Sequence, residues 1–180
     1  MDPTTPKRDA ILVVEDEVGF RECLRKILSP IYEVYTVGNG KEALRCVLAN
    51  DIDLVMLDLH LRGLSGFDIL KKINELKPQT DVIVITGYGT LKNAHEANRF
   101  GAAGFISKPC TIADITTVVG KCMQRRTFYN GVRNITTKIK NFRPLPSSTE
   151  EEDRVKFQQR RMKCGTLIFK ADTEKSESSR

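Results

Sequence analysis

The chain has 180 residues and a mass of 20.3 kDa, a size that accommodates one domain of ordinary length and a shorter remainder. Hydrophobic residues make up 40% of the sequence and charged residues 29%, a globular composition that excludes a wholly disordered chain. The formal net charge of +6 lies entirely in residues 126–180, which hold 13 Lys and Arg against 7 Asp and Glu, whereas residues 1–125 hold 16 of each.

The sequence has no feature typical of secretion or membrane insertion. No apolar run approaches 18 residues, and residues 1–9 lack the apolar stretch of a signal peptide. An odd number of cysteines without a Cys-x-x-Cys pair favours reduced thiols over a disulfide framework or a zinc cluster. These cysteines are Cys23, Cys46, Cys110, Cys122 and Cys164. We therefore expect a cytoplasmic protein that does not bind a membrane.

From residue 10 to about residue 125, short apolar runs alternate with amphipathic helical patterns. Strands are predicted at residues 10–14, 33–37, 54–57, 82–85 and 103–106. Helices are predicted near residues 17–28, 40–49, 66–76, 89–100 and 111–125. Five alternations of strand and helix predict an α/β fold, in which a doubly wound five-stranded parallel sheet carries helices on both faces.

Polar residues follow four of the five predicted strands. Glu15 and Asp16 come after the first strand, Asp58 ends the third, Thr86 ends the fourth and Lys108 follows the fifth. In a flavodoxin-like strand order of 2-1-3-4-5, ligands bind beyond the carboxyl ends of the strands, where the order reverses between strands one and three. We therefore expect the three carboxylates to converge at that crevice.

The types of these residues indicate the chemistry. Three neighbouring carboxylates raise one another's pKa values unless a cation neutralises them, so a metal is implied. Oxygen ligands without thiolate or imidazole favour a hard ion, and a site with few protein ligands suits Mg²⁺. With the ammonium of Lys108 and the hydroxyl of Thr86, the set has the parts needed to receive a phosphoryl group. Each residue alone is more often a cap or a loop residue, so the prediction depends on their joint placement.

Other phosphate-handling proteins fit the same residues less well. A dinucleotide fold would have Gly-x-Gly-x-x-Gly after the first strand and a P-loop would have Gly-Lys-Ser/Thr, and both are absent. A metal-dependent phosphatase with an Asp nucleophile is a weaker alternative, because such enzymes usually carry a second Asp where this chain has His60.

Four segments together resemble the response-regulator receiver domain of two-component signalling, a CheY-like family. They are ILVVEDE at 11–17, DLVMLD at 53–58 with Gly66 eight residues after Asp58, VITGY at 84–88 and GFISKP at 104–109. The resemblance covers residues 10 to about 125, roughly two thirds of the chain. It implies the flavodoxin-like fold and a signalling switch that catalyses only its own phosphorylation and dephosphorylation.

The resemblance also implies roles for individual residues. Asp58 would be the phosphoacceptor and Lys108 the partner of the phosphoryl group, joined by a peptide bond to Pro109 that is usually cis in this family. Mg²⁺ would be held by Asp16, by Asp58, by Glu15 through water and by the backbone carbonyl of His60. Thr86 and Phe105 would be the switch pair that reports phosphorylation.

The sequence departs from the family pattern at three positions near the phosphoacceptor. Glu15 replaces the usual Asp, while Arg62 and Ser65 replace a Pro and an Asp often found after the phosphoacceptor. These changes predict an altered metal affinity and a looser loop. The side chain of His60 has no second His or Cys nearby, so we expect a solvent-facing loop residue of which only the carbonyl matters.

The partners follow from the same resemblance. A histidine kinase or phosphotransfer protein would phosphorylate Asp58, and a downstream target protein would bind the face formed by the fourth helix, the fifth strand and the fifth helix. The basic tail makes a small DNA-binding regulator the alternative function, although no helix-turn-helix pattern is found and nucleic acid is not the favoured partner.

The sequence divides into four parts. We expect residues 1–9 to be an N-terminal arm and residues 10–125 to be the domain that resembles a receiver. Residues 126–143 form an amphipathic helical extension that would pack on the receiver or pair with a second chain as a homodimer. Residues 144–180 comprise a linker, a short helix, a short strand near 166–170 and a disordered basic tail. The apolar residues of the extension are spaced by 4, 3, 4 and 3, namely Phe128, Val132, Ile135, Ile139 and Phe142.

Overall fold

The computed structural model describes the backbone of residues 8–87, 91–142 and 167–169, and the side chains of residues 8–87 and 92–128. The predicted short helix after residue 148, the predicted disordered end from residue 171 and most of the N-terminal arm lie outside these ranges.

Strands and helices alternate along the described chain. The strands are β1 (Ala10–Val14), β2 (Glu33–Val37), β3 (Leu54–Asp58), β4 (Asp81–Thr86), β5 (Gly104–Ser107) and β6 (Leu167–Phe169). The helices are α1 (Val18–Leu28), α2 (Gly40–Ala49), α3 (Gly66–Leu76), α4 (Leu91–Arg99) and α5 (Ile112–Phe142).

All the strands pair in parallel in one sheet with the order β2-β1-β3-β4-β5-β6. The predicted order 2-1-3-4-5 is therefore confirmed for the first five strands. The short strand expected near residue 167 adds a sixth, with Phe105 opposite Ile168. The register sets Val14 opposite Leu57 and Asp58 opposite Ile85, so the neighbouring strands end at the same edge of the sheet.

The three central strands are buried along their whole length. Alternate residues of a strand point to opposite faces of a sheet, and β1 sends Leu12 into one core cluster and Ile11 into another. The first cluster lies under α2, α3 and α4, and the second under α1 and α5. Burial on both faces explains why these strands read as continuous apolar runs.

Helix α5 is anchored at the amino edge of the sheet. Arg126 Nη2 lies 2.7 Å from Asp53 Oδ1, and Arg126 Nη1 donates to the carbonyl of Gln79. The other carboxylate oxygen of Asp53 accepts a hydrogen bond of 2.8 Å from the backbone N–H of Ala10. This anchor joins α5 to the beginnings of β1, β3 and β4, and the helix continues past it to Phe142.

Candidate functional site

Glu15, Asp58 and Lys108 form an ion cluster at the carboxyl edge of the sheet. The ammonium nitrogen of Lys108 lies 2.7 Å from Glu15 Oε2 and 2.7 Å from Asp58 Oδ2. The carboxylate side chains are only 2% and 6% exposed, and the side chain of Lys108 is 20% exposed. The residues follow β1, end β3 and follow β5, so the parallel topology brings together side chains that are distant in sequence.

Lys108 is positioned by its backbone and by an aromatic ring. Its backbone N–H donates a hydrogen bond of 2.8 Å to the carbonyl of Thr86, and its peptide bond to Pro109 is cis, as predicted. Its ammonium lies 4.3 Å from the centroid of the Phe20 ring, within the range of a cation–π contact. The sequence prediction missed Phe20, although its place in the first turn of the helix after the acidic pair could have indicated it.

The charges of this cluster are not balanced. Burial raises the pKa of Glu15 above its usual value, and the charge of Asp58 adds to that effect, while the hydrogen bond and the charge of Lys108 oppose it without cancelling it. Burial lowers the pKa of Lys108, but its hydrogen bonds to Asp58 and Glu15, together with the negative charges of these two residues, outweigh burial and raise this pKa. Two buried carboxylates thus share a single ammonium.

Asp16 pairs with a different cation from the other two acids. Its carboxylate oxygen Oδ2 is 3.3 Å from Nε of Arg62, whose side chain is 93% exposed. Of the three carboxylates expected to converge, Glu15 and Asp58 share Lys108, whereas Asp16 pairs with Arg62. Within the described residues, no group of three acidic, His or Cys side chains is arranged to hold a metal ion. The ion pair engages Oδ2 of Asp16, so a metal ion would compete with Arg62 for this carboxylate.

His60 contacts two of the predicted site residues. Its backbone N–H donates a hydrogen bond of 2.9 Å to Asp58 Oδ1, and its ring nitrogen Nδ1 lies 3.0 Å from Thr86 Oγ1. The residue is exposed, as expected, whereas Thr86 is fully buried. The prediction from the sequence, which concerned only its carbonyl, did not anticipate that the imidazole contacts the hydroxyl at the end of β4.

The backbone carbonyls of Glu15 and Asp16 accept hydrogen bonds from an arginine of α1. Arg21 Nη1 donates a hydrogen bond of 2.6 Å to the carbonyl of Glu15 and one of 3.5 Å to the carbonyl of Asp16. The sequence prediction missed this arginine, which stands one turn into the following helix.

Phe105 is buried in β5, and the register sets it opposite Val84, two residues before Thr86.

The donor set fits a hard divalent cation. Every candidate ligand atom is an oxygen, from the carboxylates of Glu15, Asp16 and Asp58 and from the carbonyl of His60. The two buried carboxylates also exceed the single ammonium in charge, which a cation would correct.

The loop that carries His60 is held by the beginning of α3. Gly66 N donates to the carbonyl of Leu59, and a Cβ atom at Gly66 would lie 2.4 Å from Leu59 Cα and 2.8 Å from the carbonyl oxygen of Asp58. Only glycine allows this close approach of two backbones.

None of the helices in the described part of the chain has the length and apolarity to cross a membrane.

Comparison with known proteins identifies the family. The response regulator receiver domain family matches residues 11–120. Sporulation initiation phosphotransferase F of Bacillus subtilis is 33% identical over 114 residues, which cover 63% of this chain and 92% of that protein. Response regulator protein PilR of Pseudomonas aeruginosa is 32% identical over 120 residues, or 66% of this chain and 27% of PilR. Regulatory protein LuxO of Vibrio cholerae is 30% identical over 114 residues, and the match spans only 25% of its length.

Solved structures agree with these relatives. A response regulator receiver domain protein from Clostridium thermocellum has a TM-score of 0.63 and 33% identity, covering 67% of this chain and 98% of that one. A CheY-like receiver domain protein from Methanospirillum hungatei has a TM-score of 0.66 and 25% identity, covering 68% and 99%. The fold, the match over residues 11–120 and these relatives agree that the chain belongs to the response regulator receiver domain family, whose members are signalling modules of two-component systems.

Proposed function

We propose that this protein is a magnesium-dependent phosphoacceptor switch in which Asp58 receives a phosphoryl group from a partner histidine kinase or phosphotransfer protein. The observation that carries the proposal is the placement of the Asp58 carboxylate. Lys108 holds one of its oxygens at 2.7 Å and the backbone N–H of His60 holds the other at 2.9 Å. Two donors fix the orientation of a nucleophile at the end of a buried strand, as group transfer requires.

The proposed reaction forms one bond and breaks one bond. An oxygen of Asp58 bonds to phosphorus while the bond between phosphorus and the donor breaks, and the donor keeps that electron pair. Lys108 places its positive charge beside the phosphoryl oxygens, and the hydroxyl of Thr86 donates a hydrogen bond to the product. Receiver domains generally bind Mg²⁺ at the acidic phosphorylation site. Here Glu15, Asp16, Asp58 and the His60 carbonyl would hold it, and the ion would add positive charge beside the transferred group.

The output we propose is a shift in the conformation of the face formed by α4, β5 and α5. Thr86 and Phe105 would report the phosphorylation of Asp58 to this face, and a downstream target would bind one conformation better than the other. Burial of Phe105 in β5, next to the strand that ends in Thr86, supports this route.

The test is phosphorylation with a small donor. The full chain is incubated with Mg²⁺ and acetyl phosphate. Intact-mass spectrometry should then show one added phosphoryl group, held as an acid-labile acyl phosphate. Asp58→Asn should lose this addition, whereas Asp68→Asn, which removes an exposed carboxylate on α3, should keep it. The same addition on Asp58→Asn would overturn the assignment. Continuous turnover of a free phosphate ester would instead favour the phosphatase alternative.

A further inference from the structure

The contact between His60 and Thr86 joins two residues at the proposed phosphorylation site. Nδ1 of the exposed imidazole lies 3.0 Å from the hydroxyl oxygen of Thr86, which is fully buried. The backbone of the same histidine donates to Asp58 Oδ1 at 2.9 Å. His60 therefore contacts both the proposed phosphoacceptor and the hydroxyl proposed to bind the product.

The number of protons limits what Thr86 can do. A threonine hydroxyl has one proton and donates to one acceptor at a time, and a neutral imidazole has one acceptor nitrogen. When Nδ1 is that acceptor, the proton of Thr86 points to His60. A phosphoryl group offers only acceptor oxygens, so Thr86 can donate to it only after that proton leaves His60.

We propose that His60 is a latch on Thr86: its imidazole accepts the Thr86 proton in the unphosphorylated protein and releases it when Asp58 carries a phosphoryl group. The inference depends on the proposed function of Asp58. It makes His60 a positioning residue that acts through Thr86. Because its ring is exposed, the release also changes the protein surface at the loop after β3, away from the face formed by α4, β5 and α5.

The latch itself is tested on the unphosphorylated full chain. Nitrogen-15 NMR of the imidazoles in alkaline buffer distinguishes a protonated ring nitrogen from an acceptor, and the chain has only two histidines. We expect Nδ1 of His60 to be the acceptor, with a shift that changes in Thr86→Val, while exposed His95 is unaffected. A proton on Nδ1 of His60 would overturn the proposal, because His60 would then donate to Thr86 and would not hold its proton.

The competition is tested with Mg²⁺ and fluoroberyllate, which imitates the phosphoryl group on an aspartate. His60→Ala should bind fluoroberyllate about fivefold more tightly, the equivalent of one hydrogen bond of about 1 kcal/mol. His60→Asn restores an acceptor near the position of Nδ1 and should return the affinity toward that of the wild type. In a Thr86→Val background the effect of His60→Ala should vanish, since the latch acts only through the hydroxyl.

The outcomes separate this inference from the proposed function. An undiminished gain from His60→Ala in the Thr86→Val background, or no gain in either background, would overturn the latch while leaving Asp58 as the phosphoacceptor. If the wild type binds no fluoroberyllate and accepts no phosphoryl group, the proposed function fails, and the NMR measurement still decides whether Nδ1 of His60 is an acceptor.

Discussion

The carboxylate of Asp58 and the ammonium of Lys108 are 2.7 Å apart although 50 residues separate them in the sequence. The contact joins the ends of β3 and β5 across β4, and Lys108 reaches Glu15 beyond β1 at the same distance. A single ammonium thus links three strand ends of the sheet. Its removal should affect stability as well as phosphoryl transfer.

Lys108→Met should lower the free energy of unfolding at neutral pH by about 3 kcal/mol without Mg²⁺, because two buried carboxylates lose their shared cation. Mg²⁺ should recover part of this loss by binding to the folded state. Urea denaturation with and without the metal measures both effects. Lys72→Met removes an exposed ion pair with Glu75 and should cost less than about 1 kcal/mol. Equal losses in the two variants would contradict the importance of burial.

Glu15→Gln should change the pH dependence of stability. The pKa of Glu15 is raised in the folded protein, so the folded state binds this proton more tightly than the unfolded state. The free energy of unfolding therefore falls as the pH rises from the ordinary pKa of about 4.3 through the raised value. Glutamine does not titrate, so over that pH range the wild type should lose stability relative to the glutamine variant. Urea denaturation at a series of pH values measures this difference, which should shrink with Mg²⁺. If the difference in free energy of unfolding between the two proteins does not vary with pH, the raised pKa of Glu15 is refuted.

Arg62→Ala should increase the affinity for Mg²⁺, because it frees the carboxylate of Asp16 from a cation 3.3 Å away. The arginine is exposed, so the gain should not exceed about fivefold, the equivalent of about 1 kcal/mol. Titration calorimetry of the full chain provides the dissociation constants. Arg45→Ala removes an exposed arginine on α2 and makes the same change in net charge. An equal gain in Mg²⁺ affinity for Arg45→Ala would show that the change in net charge, and not the release of Asp16, causes the effect.

Gly66→Ala should destabilise the protein and slow the phosphorylation of Asp58. The new Cβ would lie 2.4 Å from Leu59 Cα, so the backbone next to the His60 amide must shift, which disturbs the hydrogen bond of this amide to Asp58. Gly120→Ala is the matched control in α5, since nothing lies within 4 Å of its Cβ position. Alanine at that helical position should stabilise by about 0.5–1 kcal/mol. Thermal unfolding and acetyl phosphate kinetics on both variants make the comparison, and similar behaviour of the two would rule out the close approach.

The sheet could be predicted from the sequence because its strands are buried on both faces. Continuous β-branched runs such as 82–85 are typical of the central strands of a parallel sheet, and parallel topology then dictates which ends meet. The proximity of Asp58, Glu15 and Lys108 follows from that topology. Strand β6 was visible as a short apolar run, but nothing in its spacing indicated a place beside β5.

The remaining contacts depend on side-chain rotamers and on the path of one loop. No periodicity decides whether the Asp16 carboxylate turns to its neighbouring acids or to Arg62. Likewise, the imidazole of His60 reaches Thr86 only because the loop after β3 passes over the end of β4, and a residue two positions after an aspartate has no intrinsic preference for that direction. Such contacts need three-dimensional packing before they can be recognised.

The ion pair between Arg126 and Asp53 divides α5 into two arms. At a rise of 1.5 Å per residue, the arm from Ile112 to Arg126 is about 21 Å long and the arm from Arg126 to Phe142 about 24 Å. The first arm begins four residues after Lys108, and the second begins where Arg126 reaches Asp53 at the amino edge of the sheet. A straight helix tilting about this ion pair would move Phe142 about as far as Ile112 and in the opposite direction. By these lengths α5 has the proportions of a lever with nearly equal arms, in which a displacement of Ile112 would become an opposite displacement of similar size at Phe142.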